Sequence, residues 1–309
     1  MNSLVSIGAS SNVDALRDRL YLESNKLQNR GVKLVLSTRE AGNITFLGCD
    51  LIPSDRSSRV AENQRLAFRH YLAQAVSDLI VTEWERVILS KLVNHQKNYF
   101  NPDERKQILK RAERYLELTD GLIIPGIGEQ QLGFPIKCLN NRCNKIRQEV
   151  LEYLHINDEL VIDGFLRFRL KGYINQLEQA VDSAIDELIM EREYQDFIRL
   201  LQYFVEIQEP RASQVHVVLK PTGIFKIYDS QGEPVDNEYQ DGFLLDVIDT
   251  DLNYEDLLIS ALITIAPQQI TIHQSELDRA VVSIDTIQRV FDGRVVICKG
   301  CDHCKRFRQ

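Results

Sequence analysis

The spacing of apolar residues changes twice along this chain of 309 residues, from strand-like to helical and back to strand-like. Near the N-terminus, short apolar runs at 4–8, 32–36 and 43–49 predict strands. Residues 12–28 predict a helix that Gly31 is well placed to end. Because a β-α-β-β unit of about fifty residues buries too little apolar surface to be stable alone, we expect it to pack on another part of the chain.

The middle of the chain has helical periodicity. From Ser58 onward apolar residues recur mostly at three- and four-residue intervals without an internal Gly or Pro, which is typical of a long, well-buried helix. Asn101 and Pro102 predict the start of another helix, with Asn as the cap and Pro at the first position. Glycines and prolines between 119 and 135 predict a loop or a short hairpin. The predicted helices cover residues 58–92, 101–118, 140–155 and, as a pair, 159–207.

Beyond Pro210 the period of the apolar residues becomes two, which predicts strands. Residues 220–222 mark the turn of a hairpin between the first two of them. The last two strands flank a helix with short connections, so we expect them to lie side by side in parallel. The predicted strands cover 215–219, 223–228, 243–248, 269–273 and 294–298, and the predicted helices cover 254–265 and 283–291.

This order of elements predicts an α+β protein. Long central helices are flanked by an N-terminal β-α-β-β unit and by a C-terminal β-hairpin followed by a β-α-β unit. We expect a small N-terminal α/β unit at 1–57, a helical region at 58–209, and a C-terminal α/β unit with a cysteine-rich tail at 210–309. The pattern leaves open whether the strands of the two ends pair into one mixed sheet.

Composition and charge narrow the class of protein. An apolar fraction of 44% with 27% charged residues is ordinary for a folded chain, and the net charge of −8 argues against a protein that coats nucleic acid. Arg167, Arg169 and Lys171 interleave with aromatic residues and keep nucleic-acid binding as a weaker alternative. With neither a secretory leader nor an apolar run that could span a bilayer, we expect a cytoplasmic protein with reduced cysteines.

The densest candidate for chemistry is the C-terminal tail, where Cys298, Cys301, His303 and Cys304 fall within seven positions after an apolar run. Three thiols in Cys-x2-Cys-x2-Cys spacing can converge on one soft metal ion, because each two-residue spacer lets the chain turn back. The corresponding ferredoxin run continues to a fourth Cys followed by Pro, which this chain lacks. We therefore expect zinc rather than an iron–sulfur cluster.

The fourth ligand is less well defined by the sequence. His303 and Cys304 are adjacent, so strain disfavours their binding the same ion, and Cys138 or Cys143 would complete the site if that segment folds close. Two other interpretations stay open, namely a redox or trafficking thiol site and a tail without function. His216 and His273 lie within predicted strands, where we expect core or edge residues rather than catalysts.

One further pairing, Glu152 and His155, has the spacing of half a carboxylate-bridged di-iron site. Such a site needs a second Glu-x-x-His and two more glutamates, and the sequence has no second copy. We expect the end of a surface helix there, where a histidine is favoured by the helix dipole.

The later part of the chain, from about 160 to 304, resembles the YtxC family of sporulation proteins, and the N-terminal third resembles it mainly in layout. The segments that carry the resemblance are 164–173, 181–205, 208–210, 215–218, 258–267 and Gly300-Cys301. The resemblance implies a cytosolic protein of endospore-forming bacteria with a role in sporulation, and it brings no catalytic residue or ligand with it.

We therefore favour a non-enzymatic protein that acts through contact with a protein partner and binds zinc at its terminal thiols. The long apolar helices at 159–207 fit either a face for that partner or a buried core. A thiol-based redox factor or enzyme that uses Cys298, Cys301 or Cys304 is the alternative.

Overall fold

A computed structural model describes residues 4–28, 32–53, 58–95, 99–119, 141–219, 225–235, 254–273, 281–301 and 304. The chain forms two compact units, Met1–Ile189 and Met190–Gln309, each with its own hydrophobic core. The predicted α+β class is confirmed, and the described strands form two separate four-stranded sheets. The division into three regions at 57/58 and 209/210 stays a prediction.

The N-terminal unit begins with the predicted β-α-β-β arrangement. β1 (Val5–Ala9) is followed by α1 (Val13–Gln28), β2 (Val32–Ala41) and β3 (Ile44–Pro53). β2 and β3 pair antiparallel, and β3 pairs antiparallel with β1. Every residue of β1 is buried, because this strand lies inside the sheet, between β3 and a fourth strand β4 (Glu159–Val161).

That fourth strand corrects the sequence prediction, which started a pair of helices at residue 159. β4 runs parallel to β1, and the N–H of Ser6 donates to the carbonyl oxygen of Asp158 at 2.8 Å. Leu160 is completely buried in the sheet. Three residues are too few to show a period of two, so this strand is specified by its distant partner rather than by its own pattern.

The rest of the N-terminal unit is helical. Its helices are α2 (Ser58–Leu79), α3 (Glu85–His95), α4 (Pro102–Thr119), α5 (Asn141–Ile156), α6 (Ile162–Phe168) and the first part of α7 (Lys171–Ile207). α2 packs on α1 and α5, and α3 packs on α4. The apolar faces of these helices and the inner strands form one continuous core.

The predicted start of α4 is confirmed in detail. The side-chain oxygen Oδ1 of Asn101 accepts hydrogen bonds from the N–H groups of Asp103 and Glu104, both at 2.9 Å. The carboxylate of Glu104 in turn accepts from the N–H of Asn101 at 2.8 Å. This reciprocal capping box satisfies backbone donors that the first turn of a helix leaves without intrahelical partners.

The long helix predicted at 58–92 is present with one irregularity, a π-helical turn at Ile80–Trp84 between α2 and α3. A buried polar cluster follows it. The hydroxyl of Tyr173 donates to Oε2 of Glu85 at 2.8 Å, and Nη2 of Arg142 lies 3.6 Å from the same oxygen. Burial, and then the neighbouring Glu85, raise the pKa of Tyr173 well above its ordinary value.

The C-terminal unit is built on the second sheet. Its described elements after α7 are β5 (Gln214–Leu219), β6 (Phe225–Asp229), α8 (Tyr254–Ile265), β7 (Gln269–His273), α9 (Val281–Val290) and β8 (Val295–Ile297). The predicted hairpin is the antiparallel pair of β5 and β6, and the predicted parallel pairing of β7 with β8 is confirmed. β5 also pairs in parallel with β7, which gives the order β6-β5-β7-β8.

The two faces of this sheet differ in chemistry because side chains alternate along a strand. The core face of β5 and β7 carries Val215, Val217, Ile270 and Ile272, all completely buried. The opposite face carries Gln214, His216, Thr271 and His273, together with the apolar Val218. The polar face is therefore the one on which chemistry can be placed.

The predicted loop after residue 119 and the predicted strand at 243–248 lie outside the described residues. Among the helices that the structure describes, none is long and apolar enough to cross a membrane.

Candidate metal centre

The candidate site lies where two adjacent parallel strands end. β7 ends at His273, and Cys298 follows directly after β8. The N–H of Cys298 donates to the carbonyl oxygen of Ile272 at 2.9 Å, so the parallel ladder continues as far as this cysteine. Because parallel strands end at the same edge of a sheet, His273 and Cys298 become neighbours.

A glycine then turns the chain back towards this edge. Gly300 has a φ of +119°, a backbone conformation that residues with a Cβ atom rarely adopt. Its N–H lies 3.4 Å from Sγ of Cys298. The turn brings Cys301 and Cys304 into contact with the strand ends.

The result is a compact group of three sulfur atoms and one ring nitrogen. Sγ of Cys304 lies 3.3 Å from Nδ1 of His273, 3.7 Å from Sγ of Cys298 and 3.8 Å from Sγ of Cys301. Sγ of Cys301 lies 3.6 Å from Nδ1 of His273. All four atoms lie within 4.8 Å of one another, so a single ion can contact each of them.

Four of the six separations among these atoms are those that a tetrahedral zinc ion would require. Zinc bonds of about 2.3 Å to sulfur and about 2.0–2.1 Å to nitrogen place two sulfurs about 3.8 Å apart, and a sulfur and a nitrogen about 3.6 Å apart. The corresponding separations here are 3.7 and 3.8 Å, and 3.3 and 3.6 Å. A disulfide needs a bond of about 2.0 Å, and the three cysteines are unbridged.

The thiol of Cys298 resists ionisation in the absence of a cation. Burial raises the pKa of Cys298 from 9.0 to about 11, the N–H of Gly300 lowers it, and the thiols of Cys301 and Cys304 raise it. A bound cation reverses this balance, because the thiolate is the form that binds the metal. Cys298 is therefore suited to holding a metal ion rather than to presenting a free thiolate at neutral pH.

His273 is oriented by a second histidine. Its Nε2 lies 3.0 Å from Nδ1 of His216, on the adjacent strand β5, while its Nδ1 faces the sulfurs. A ring flipped by half a turn would point carbon atoms at both groups, so this orientation is the one that gives both ring nitrogens polar partners. Only 3% of His273 is exposed, which keeps water away from the nitrogen that faces the thiols.

The structure brings together three of the four predicted metal ligands, Cys298, Cys301 and Cys304. His303 and Cys138 lie outside the described residues. Cys143 lies buried in the N-terminal unit, where its thiol is 3.5 Å from Oδ1 of Asp78.

The residue that sequence reasoning missed is His273. It was expected to be a core or edge residue of a strand, and it is buried, but its ring faces the three thiols. The available signal was its position at the end of the strand predicted to pair with the one leading into Cys298. Combining these two predictions would have placed it beside the cysteines.

The other candidates show no comparable convergence. Glu152 accepts a hydrogen bond from Gln148, and both Glu152 and His155 are exposed at the end of α5, as expected. Near the basic run, the aromatic residues are divided: Phe165 and Tyr173 are buried, whereas 67% of Phe168 is exposed. The aromatic side chains of this segment are thus only partly buried.

Fold and site together define an α+β protein of two units, with a Cys3His group at one edge of the C-terminal sheet. The chain belongs to the YtxC-like family, whose sequence profile matches residues 70–296. The matched range starts well before residue 160, where the resemblance noted in the sequence begins, and it ends just before Cys298.

A second comparison gives a relative with the family's name. The chain is 29% identical over 197 residues to the protein YtxC of Bacillus subtilis (strain 168). The aligned region covers 64% of this chain and 65% of that protein. No solved structure matches the chain.

Proposed function

We propose that this is a cytosolic sporulation protein without enzymatic activity, whose C-terminal unit binds one zinc ion through His273, Cys298, Cys301 and Cys304. The observation that carries the metal assignment is that the three sulfurs and the ring nitrogen lie within 4.8 Å of one another, with four of their six separations close to those of a tetrahedral zinc site. The role in sporulation and the cytosolic location rest on the resemblance to the YtxC family.

The donor set favours zinc and a structural role for it. Thiolate sulfur and imidazole nitrogen are the ligands of structural zinc sites, in which four protein ligands close the coordination sphere. A catalytic zinc site leaves one position open for water or substrate. Four protein donors within 4.8 Å of one another leave no such position, so we assign the ion to stabilising the unit.

Action through a protein partner is supported by the second half of α7. This helix has two apolar faces: Ile198 and Val205 are buried in the C-terminal core, whereas Phe197, Leu200, Phe204 and Ile207 are between 42% and 58% exposed. The exposed set recurs at alternating steps of three and four residues, the spacing of a helix–helix seam. We therefore propose that the partner offers an apolar helix face.

Zinc content of the full-length protein tests the metal assignment, and two histidine variants test its ligands. Purification without added chelator should yield one zinc per chain by elemental analysis. His273→Ala should lower the zinc content strongly, whereas His303→Ala, the matched control from the same chemistry, should keep it. Full zinc in His273→Ala together with loss in His303→Ala would reassign the fourth ligand to the tail.

Zinc analysis together with alkylation of the thiols distinguishes the structural centre from the redox alternative. That alternative is supported by the short distances between the thiols. Bound zinc with thiols that are protected from alkylation supports a structural centre. A metal-free protein with one fast-reacting thiol among Cys298, Cys301 and Cys304 supports a redox factor instead.

Mild crosslinking in sporulating cells tests the partner. The wild-type chain should capture a protein that Leu200→Glu no longer captures, because a charge in the exposed stripe interrupts an apolar seam. Gln195→Glu adds the same charge on the same helix outside the stripe and should leave capture unchanged. Absence of any captured protein, or equal capture by both variants, would remove the basis of the adaptor proposal.

A further inference from the structure

We propose that His216 is a positioning residue of the metal centre, which holds His273 in the tautomer and orientation that bind the ion. This inference rests on the proposed zinc site and adds to it a residue that no comparison assigns. It concerns the face of the C-terminal sheet opposite the core, where β5 and β7 place the two histidines side by side.

The geometry of the strand pair places His216 where it can act on His273. His216 pairs across the ladder with Thr271, and His273 is the next residue on the same face of β7. The rings are 5.2 Å apart between centroids, and Nδ1 of His216 lies 3.0 Å from Nε2 of His273. The other ring nitrogen of His273 is the one directed at Cys304 and Cys301.

The proton count of a neutral imidazole fixes the role of each atom. A histidine that offers the lone pair of Nδ1 to a metal carries its single proton on Nε2. Nε2 of His273 is then the donor and Nδ1 of His216 the acceptor. Metal-bound histidines usually donate their second N–H to such an acceptor, which fixes the ring and makes the ligand more basic.

Both histidines lie in paired strands of the sheet, so the backbone of β5 and β7 fixes the positions of the two rings. β5 pairs with β7 from residue 214 to residue 218, and His273 is 3% exposed. A ligand held in this way does not have to be ordered when the ion binds. Removal of His216 should therefore weaken metal binding without removing a ligand.

Metal affinity of the full-length protein, measured with zinc alone in competition with a chromogenic chelator, tests this role. Loss of an outer partner of this kind lowers metal affinity about 10- to 100-fold. We expect that loss for His216→Ala. His216→Asn, whose side-chain oxygen can take the place of Nδ1 as an acceptor, should bind zinc nearly as tightly as the wild type.

The matched control is Gln214→Ala. Gln214 lies on the same strand and face as His216, and its Nε2 donates to Oγ1 of Thr271 at 3.2 Å, so this variant removes a cross-strand hydrogen bond on the same strand pair. It should leave zinc affinity unchanged. The visible spectrum of the cobalt(II)-substituted protein gives a second readout that a merely structural role would not move. His216→Ala should disturb the bands of a three-sulfur, one-nitrogen site, and His216→Asn should restore them.

Wild-type zinc affinity in His216→Ala, or equal losses in His216→Ala and Gln214→Ala, would overturn the role of His216 while leaving the zinc site intact. If His216→Ala does not fold, His216→Leu, an apolar counterpart of Asn in shape, replaces it, and equal affinity of the Leu and Asn variants overturns the proposal. A wild-type protein that binds no zinc would instead overturn the proposed function, and this inference with it.

Discussion

At the scale of single residues, the described cysteines divide into two chemical classes. Cys298, Cys301 and Cys304 are partly exposed and share one cluster, whereas Cys49 and Cys143 are buried in the N-terminal unit. Burial raises the pKa of Cys49 from 9.0 to about 12, and the nearby carboxylate of Asp50 adds to the rise. Cysteine thus provides candidate metal ligands near the C-terminus and inert apolar groups in the N-terminal unit.

The raised pKa of Cys49 predicts a loss of stability at high pH. The folded state keeps the proton of this thiol up to about pH 12, whereas the unfolded chain releases it near pH 9. The contribution of Cys49 to stability is therefore fully present below pH 9.0 and is lost as the pH rises towards about 12. Between about pH 8 and about pH 10.5 the loss should amount to about 2 kcal/mol.

Urea unfolding of the wild type and of Cys49→Ala at both pH values measures this loss. Cys49→Ala also leaves a small cavity, but that cost is the same at both pH values. Tyr173, whose pKa is also raised, titrates in both proteins and cancels in the comparison. The free energy of unfolding should fall less in the variant between the two pH values. Equal falls would show that Cys49 ionises as easily in the folded protein as in the unfolded chain.

At the scale of elements, strand β1 depends on a glycine at its point of closest packing. Gly8 pairs with Phe46 on β3, and a Cβ atom at this position would lie 2.7 Å from Cε1 and 2.8 Å from Cδ1 of the Phe46 ring. That ring has little freedom to move, because it is 5% exposed and the guanidinium of Arg39 lies 4.6 Å from its centroid. Overpacking of this kind costs about 1–3 kcal/mol.

We therefore expect Gly8→Ala to lower the free energy of unfolding by about 1–3 kcal/mol in urea denaturation. Gly172→Ala is the matched control, since Gly172 lies in α7 with open space around a Cβ atom. It should raise stability by up to about 1 kcal/mol, because glycine is a poor helix former. If the same Gly→Ala change lowers the free energy of unfolding at Gly8 and raises it at Gly172, the effect of packing is distinguished from that of helix propensity. A neutral Gly8→Ala would mean that the Phe46 ring moves aside freely.

Elements with strong local sequence signals were predictable from the sequence. Elements defined by partners that are distant in the chain were not. The capped start of α4 at Asn101 and the parallel pair of β7 and β8 follow from local signals and short connections. β4 has three residues and owes its strand conformation to β1, about 150 positions away. His273 was missed for the same reason: a lone strand histidine carries no sign of the sulfurs that meet it in space.

At the scale of the whole molecule, the proposed zinc ion belongs to one of two compact units. Its four candidate ligands lie between residues 273 and 304, within Met190–Gln309. The ion would tie the end of β7 to the segment after β8, which no described disulfide does. Because a metal that binds only the folded form adds its binding free energy to the stability of that form, the C-terminal unit should be the part that depends on zinc.

Hydrogen exchange with and without a strong zinc chelator tests this dependence along the full chain. Chelation should speed exchange in peptides from β5, β7 and β8. Peptides from β1 and β3 should keep their protection, because the N-terminal unit has its own core and none of the four candidate ligands. Cys304→Ser, which removes the sulfur that lies within 3.8 Å of the three other donor atoms, should show the same pattern without chelator.

The combination of chelator and variant decides whether the effect passes through the site. Chelation of Cys304→Ser should add no further exchange in β7 and β8, because that variant already lacks the ion. Additional exchange in the variant would mean that the chelator acts elsewhere. Faster exchange in both sheets would show that the metal stabilises more than its own unit, and unchanged exchange in both would leave the zinc centre without a structural role.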